Sequence, residues 1–139
     1  MPKIMETAQT AFKHFTDGLA TGQWSAFLDM LTEDFTFWFP VGPFQGTNVG
    51  KARASEFFPY VTEKIFTQGL SVTLQRITSN ETTVVFEIQS EGQMLGHAYQ
   101  NQAAISFDVR ENQICGYREY LGVLFQINAP PSASRDRIP

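Results

Sequence analysis

Near residue 69 the spacing of apolar side chains changes from the helical period to the strand period, and this change most constrains the fold. Ile4, Ala8, Ala11, Phe12, Phe15 and Leu19 recur at helical spacing, so residues 4–20 read as an amphipathic helix. Gly22 ends it in the position that favours a left-handed residue. Trp24, Phe27, Leu28 and Leu31 predict a second, short helix. Residues 49–67 predict a third, kinked or split at Pro59. Between them, Phe35-Thr36-Phe37-Trp38-Phe39 alternates Phe at period 2, a strand with one aromatic face stopped by Pro40. Residues 41–50 read as a Gly-rich loop or short hairpin. From residue 70 onward the chain is strands: 70–77, 82–90, 97–109 and 114–125, with turns at 79–81, 91–93 and 110–112. Helices followed by an antiparallel meander predict an α+β fold, a curved cone-shaped antiparallel sheet with three N-terminal helices closing its concave face. A cone leaves a cavity at its open end. The expected organisation is one domain over residues 1–126 and a flexible polar tail over 127–139, beginning near Ala129-Pro130-Pro131-Ser132.

Composition matters for what fills the cone. Thirteen Phe, four Tyr and two Trp make the 139-residue chain 14% aromatic, against ten Lys plus Arg. Such ring surface either packs a core or lines a cavity. A net charge of −4 with scattered bases disfavours a nucleic-acid backbone as partner. The single cysteine, Cys115, permits no internal disulfide. It reads as a small buried hydrophobe in a strand rather than a nucleophile. No apolar leader and no 18-residue apolar run are present, so the expected location is the cytoplasm, without membrane contact. No Gly-rich phosphate loop or GxSxG elbow occurs. The two His residues, His14 and His97, have no acidic pair at ligand spacing, so neither a metal nor a cofactor is expected.

Three stretches resemble a known superfamily. Leu19-Ala20-Thr21-Gly22-Gln23-Trp24-Ser25-Ala26-Phe27 resembles the joint between helices one and two of nuclear transport factor 2-like proteins. Phe39-Pro40-Val41-Gly42-Pro43-Phe44-Gln45-Gly46 resembles their "PVG…G" strand exit. Tyr99-Gln100-Asn101-Gln102, then Phe107, Ile114 and Arg118-Glu119-Tyr120, is similar to the "YxN…F…GxI…REY" ending of the SnoaL-like branch, related to polyketide cyclases and ketosteroid isomerases. The likeness spans residues 6–125. It implies a small-molecule pocket but no single activity, because this fold hosts isomerases, cyclases, hydrolases, dehydratases and carriers. Carried over residue by residue, it puts Phe39 where the isomerases keep their Asp base. It puts Phe15 where they keep a Tyr donor and Ala103 where they keep a second Asp. Steroid isomerisation is therefore not implied: rings and a methyl cannot abstract or donate these protons.

Strand parity extends the argument. If Ala103 points inward, so do Asn101, Tyr99 and His97. Leu121 takes the place of a pocket-lining aromatic of the isomerases, and Glu119, Tyr117 and Cys115 share its face. Candidate catalytic residues are Glu119 and His97. Candidate ligand contacts are Phe15, Trp24, Phe37, Phe39, Tyr99, Asn101, Tyr117 and Leu121. Glu119 among rings would be desolvated and able to act as acid or base near neutrality. Alternatively it is satisfied by Arg118, Arg76 or backbone donors near the sheet rim, or turned to a dimer partner. His97 sits either at a cavity mouth or on an exposed edge, and Trp24 is either pocket wall or core. Tyr99 and Asn101 could bind a ligand or satisfy loop backbone.

The function expected is binding of a small apolar ligand in an aromatic pocket, with acid/base chemistry of isomerase, cyclase or hydrolase type on an apolar cyclic substrate. The alternative is a non-catalytic ligand-binding or oligomerisation module. Trp38, opposite in parity to the Phe triplet, faces the outer side of the sheet. An apolar residue there needs cover, which suggests a homodimer.

Overall fold

The computed structural model describes residues 2–122, so the tail expected at 127–139 lies outside the described residues. Helix α1 spans Pro2–Thr21 and α2 Ser25–Leu28. Strand β1 runs Leu31–Phe39 and β2 Gly46–Val49; helix α3 follows at Lys51–Tyr60. Strands β3 (Leu70–Ser79), β4 (Thr83–Met94), β5 (His97–Arg110) and β6 (Gln113–Gly122) complete the described residues. The six strands form one open sheet in the order β2-β1-β6-β5-β4-β3. Helix α1 lies across β3 to β6 and α3 across β1, so the helices cover one face of the sheet. This is the α+β cone that the change of periodicity predicts.

The structure corrects four details. The sheet is not wholly antiparallel, because β1 runs parallel to β6. The meander reverses three times from β3 and leaves the outer edge of β6 open, and the helices deliver β1 to that edge. The Gly-rich stretch after Pro40 contains β2, which pairs with β1 from Phe39↔Gly46 to Thr36↔Val49. The third helix does not break at Pro59. It continues to Tyr60 and then widens into a π-turn over Val61–Ile65, closed by Phe66 N–H donating to the Val61 carbonyl at 2.8 Å. Finally, Glu91-Gly92-Gln93 is not a turn. Gly92 lies inside β4, paired with Leu70 and Tyr99, and a Cβ there would stand 2.9 Å from the Gly69 carbonyl oxygen, which is why the residue is a glycine. The reversal comes later, at Leu95 (φ 53°) and Gly96 (φ 85°), between the paired Met94 and His97. Positive φ at both loop residues matches the twist of a two-residue hairpin.

The core is built from rings. Phe15 lies within about 6 Å of Trp24, Phe27, Phe58, Phe107 and Tyr117, centroid to centroid. Phe35 and Phe37 are fully buried. Phe37 stacks on Phe57 at 4.8 Å. Edge-to-face and offset arrangements dominate, as ring quadrupoles favour.

Candidate functional site

Where the cone is not filled, a cavity of about 90 Å³ remains under α1, the π-turn and the inner face of β4, β5 and β6. Alternation places its wall. On β5, Tyr99, Asn101, Ala103 and Ile105 face it; on β6, Tyr117, Glu119 and Leu121; on β4, Ile88 and Ser90. Phe15 from α1 and Phe39 from the end of β1 also face it, with Phe57 and Phe58 of α3. Among the residues singled out in the sequence, the structure thus brings Phe15, Phe39, Tyr99, Asn101, Tyr117, Glu119 and Leu121 to one cavity.

Three others stand elsewhere. Trp24 is a core residue. Its ring packs over Gly18, where a Cβ would come within 2.5 Å, and its indole N–H donates to Thr62 Oγ1 at 3.0 Å. It ties α2 to the π-turn and does not reach the cavity. Phe37 is closed off from the cavity by its packing against Phe44, Phe57 and Phe58. His97 has the inward parity but is exposed, at the first position of β5 after the hairpin tip, and it does not line the cavity. Cys115 also loses the expected parity. A bulge in the β5–β6 pairing sets Asp108 opposite Gly116 and Val109 opposite Ile114, which leaves Cys115 as the unpaired extra residue.

Two polar clusters interrupt the apolar wall. In the first, Tyr117 O–H donates to Glu119 Oε1. Burial pushes the Glu119 carboxyl up to about 7, and the Tyr117 hydrogen bond offsets only part of that rise. Burial and the neighbouring Glu119 raise the Tyr117 hydroxyl well above its ordinary range, so it stays a neutral donor. The cations proposed as partners for Glu119 are used on other groups. Arg118 binds Asp108 at 2.6 and 3.0 Å and Ser106 at 2.8 Å, and Arg76 binds Glu87 at 2.9 Å. None of the ion pairs among the described residues includes Glu119. In the second cluster, Ser90 Oγ donates to Asn101 Oδ1 and Asn101 Nδ2 donates to the Tyr99 hydroxyl, each at 2.5 Å. Ser90 is not among the residues that the sequence singles out, although it continues the buried alternation of Val84, Phe86 and Ile88.

The arrangement can exchange a proton near neutral pH, because a carboxyl titrating near 7 is populated in both forms there. Replacing Tyr117 by Phe should push the Glu119 carboxyl still higher, since the ionised form loses its donor. A carbon-13 titration of the Glu119 carboxyl would show the upward displacement; an unchanged midpoint would separate the two groups. No group of three or more His, Cys, Asp or Glu among the described residues is arranged to hold a metal ion. No described helix is long and apolar enough to cross a membrane.

The cone of helices over a curved sheet, with a cavity between them, is the fold of nuclear transport factor 2-like proteins. The SnoaL-like domain model matches residues 12–117, and the chain belongs to that family. An NTF2-like protein from Anabaena variabilis ATCC 29413 is 59% identical, covering 87% of this chain and 90% of its own, with a TM-score of 0.84. Two more distant proteins share the fold. The epoxide hydrolase/cyclase-like enzyme SalBIII, of pyran ring formation in the polyether salinomycin, is 18% identical with a TM-score of 0.70, covering 88% of this chain and 95% of its own. An LEH-like epoxide hydrolase from M. tuberculosis is 19% identical with a TM-score of 0.66, covering 84% and 83%. Among curated proteins, none matches the chain.

Proposed function

We propose that this chain binds a small apolar molecule in the cone and moves a proton on or off it, with Glu119 as the acid/base group. One observation carries the reading: the carboxyl at about 7 opens on a ring-lined cavity and has no cation beside it among the described residues. A structural ion pair would hold such a carboxyl low. Desolvation without a counter-charge instead matches it to proton transfer at neutral pH. Phe15, Phe39 and Leu121 supply apolar contact, and Tyr99 and Asn101 the polar contact. The reaction class is cofactor-free isomerisation, cyclisation or hydrolysis of a cyclic substrate, in keeping with the cyclase-like and hydrolase members of the fold.

A second reading, ligand binding without turnover, draws support from Phe15, Phe39 and Ala103, which stand where related isomerases keep their polar groups. Trp38 stacks on Tyr120 at 5.3 Å on the outer sheet face, and Tyr120 is 51% exposed. We place a homodimer contact there and the protein in the cytoplasm.

Native mass spectrometry of the purified protein, followed by incubation of any retained ligand with parent and Glu119→Gln, tests both readings. The acid/base reading expects turnover that falls roughly 10²- to 10⁴-fold in the variant. A ligand held but never converted supports the carrier. A cone that takes up no small molecule overturns both.

A further inference from the structure

The hydrogen bonds on the cavity wall fix which polar atoms remain for a ligand. Ser90 Oγ spends its proton on Asn101 Oδ1, and Asn101 spends an amide proton on the Tyr99 oxygen. A phenol that accepts a hydrogen bond still has its own proton to give. The Tyr99 O–H donates to no described group, and the Tyr99 ring is seated against Phe66 at 5.1 Å. Burial and the negative field of Glu119 keep that hydroxyl protonated. Glu119 already receives the Tyr117 proton. The wall therefore presents the Tyr99 O–H as a donor, with the second amide proton of Asn101 beside it, and Glu119 as an acceptor that is anionic above about 7. None of the described lining residues is cationic.

We propose that the Ser90–Asn101–Tyr99 chain makes this cavity select an uncharged molecule whose polar feature is a hydrogen-bond-accepting oxygen, a ketone or cyclic ether, with Ser90 and Asn101 as positioning residues behind Tyr99. The inference rests on the reading that the cone holds a small molecule. It adds the ligand's chemistry. A hydrocarbon leaves the Tyr99 donor unmet, which is unfavourable for a buried polar group. A carboxylate meets Glu119 with no counter-charge, and like charges in a low-dielectric site repel. The size also bounds the ligand, because an apolar cavity of roughly 150 Å³ takes a benzene ring and this one is about 90 Å³. A five-membered ring is the scale of probe to use, with Met94, 36% exposed, at the rim able to give way.

Affinities of cyclopentanone, methylenecyclopentane and cyclopentanecarboxylate, measured by NMR titration at pH 8, test the proposal. The ketone should bind roughly three- to tenfold tighter than the hydrocarbon of the same shape, the range of one net hydrogen bond. The carboxylate should bind weakest. Tyr99→Phe should bring the ketone-to-hydrocarbon ratio to about one, with the hydrocarbon bound at least as well as by the parent chain. Asn101→Leu, which leaves the Tyr99 hydroxyl in place but unaimed, should lower the same ratio. A role in stability alone would shift both affinities together. Equal binding of ketone and hydrocarbon by the parent chain, an unaltered ratio in Tyr99→Phe, or a preference for the carboxylate overturns the proposal and leaves the cavity reading standing. Binding of none of the three overturns the cavity reading, and this inference with it.

Discussion

At pH 8 the Glu119→Gln variant should be more stable than the parent chain, and at pH 4.5 the two should converge. The folded carboxyl keeps its proton up to about 7, whereas an ordinary glutamate releases it near 4.5. Between those values the native state binds more protons than the unfolded state, so stability falls as pH rises. The loss begins near 4.5 and is complete just above 7. Each unit of displacement corresponds to about 1.4 kcal/mol, so a rise from 4.5 to about 7 amounts to about 3 kcal/mol. Gln keeps the shape and cannot ionise, so the variant should escape this loss. Asp108 behaves in the opposite sense. Burial pushes it up, but the hydrogen bonds from Arg118 and Thr83 outweigh burial and hold it below its usual 3.8. Its contribution is present above 3.8 and fades as pH falls. It is common to both proteins and cancels in the difference. Urea unfolding at pH 4.5, 6 and 8 reads the effect directly. Parallel profiles for parent and variant would mean that Glu119 is solvated, and the acid/base reading would lose its carrying observation.

If that cost in stability is measured, an ionisable group kept at residue 119 points to a role other than folding. A Gln, a Met or a further Phe at residue 119 would fill the same place without desolvating a charge. Burying an acid without a counter-charge fits a site in which proton exchange is the purpose, since stability and activity trade against each other at such positions.

The general shape was legible because two periodicities carry it. Phe35, Phe37 and Phe39 at period 2, and Ala8, Ala11, Phe15 and Leu19 at helical spacing, encode which faces are buried. Parity along β5 also reads directly from Phe107 back to Tyr99. Four features were hidden because they depend on neighbours rather than on spacing. Parity says which way His97 points, but not that the strand end is exposed there. The bulge at Cys115 adds one residue to a strand whose composition looks regular. Gly92 reads as a turn by type, yet it is paired within the sheet, and it is a glycine because Gly69 and Leu70 approach it closely. Trp24 carries both an apolar ring and a donor, and only the position of Thr62 decides that it belongs to the core. Ser90 is the opposite case. The alternation through Val84, Phe86 and Ile88 points at it, but a serine in an apolar series draws no attention until Asn101 is seen beside it.

Phe58→Ala should be among the most destabilising single changes in the chain and should also widen what the cone accepts. Phe58 is 1% exposed and lies 5.0 to 5.3 Å, centroid to centroid, from Phe27, Trp24 and Tyr117. Truncating a buried Phe costs about 3–5 kcal/mol, the higher end where the surroundings cannot collapse. Here they resist collapse, because Pro59 stiffens the next residue and the Trp24–Thr62 hydrogen bond fixes the turn behind it. The space vacated adjoins the cavity, so it adds to a volume already present. Methylenecyclohexane should then bind the variant better than methylenecyclopentane does, reversing the parent's order. Phe86→Ala supplies the control. Phe86 is equally buried, stacks on Phe12 at 4.3 Å and does not line the cavity. It should cost a similar amount in urea unfolding and leave the order of ring sizes unaltered. A gain for the larger ring in both variants would mean that ligands enter wherever the core is loosened. A gain confined to Phe58→Ala ties ligand size to the cavity that Glu119 and Tyr99 share.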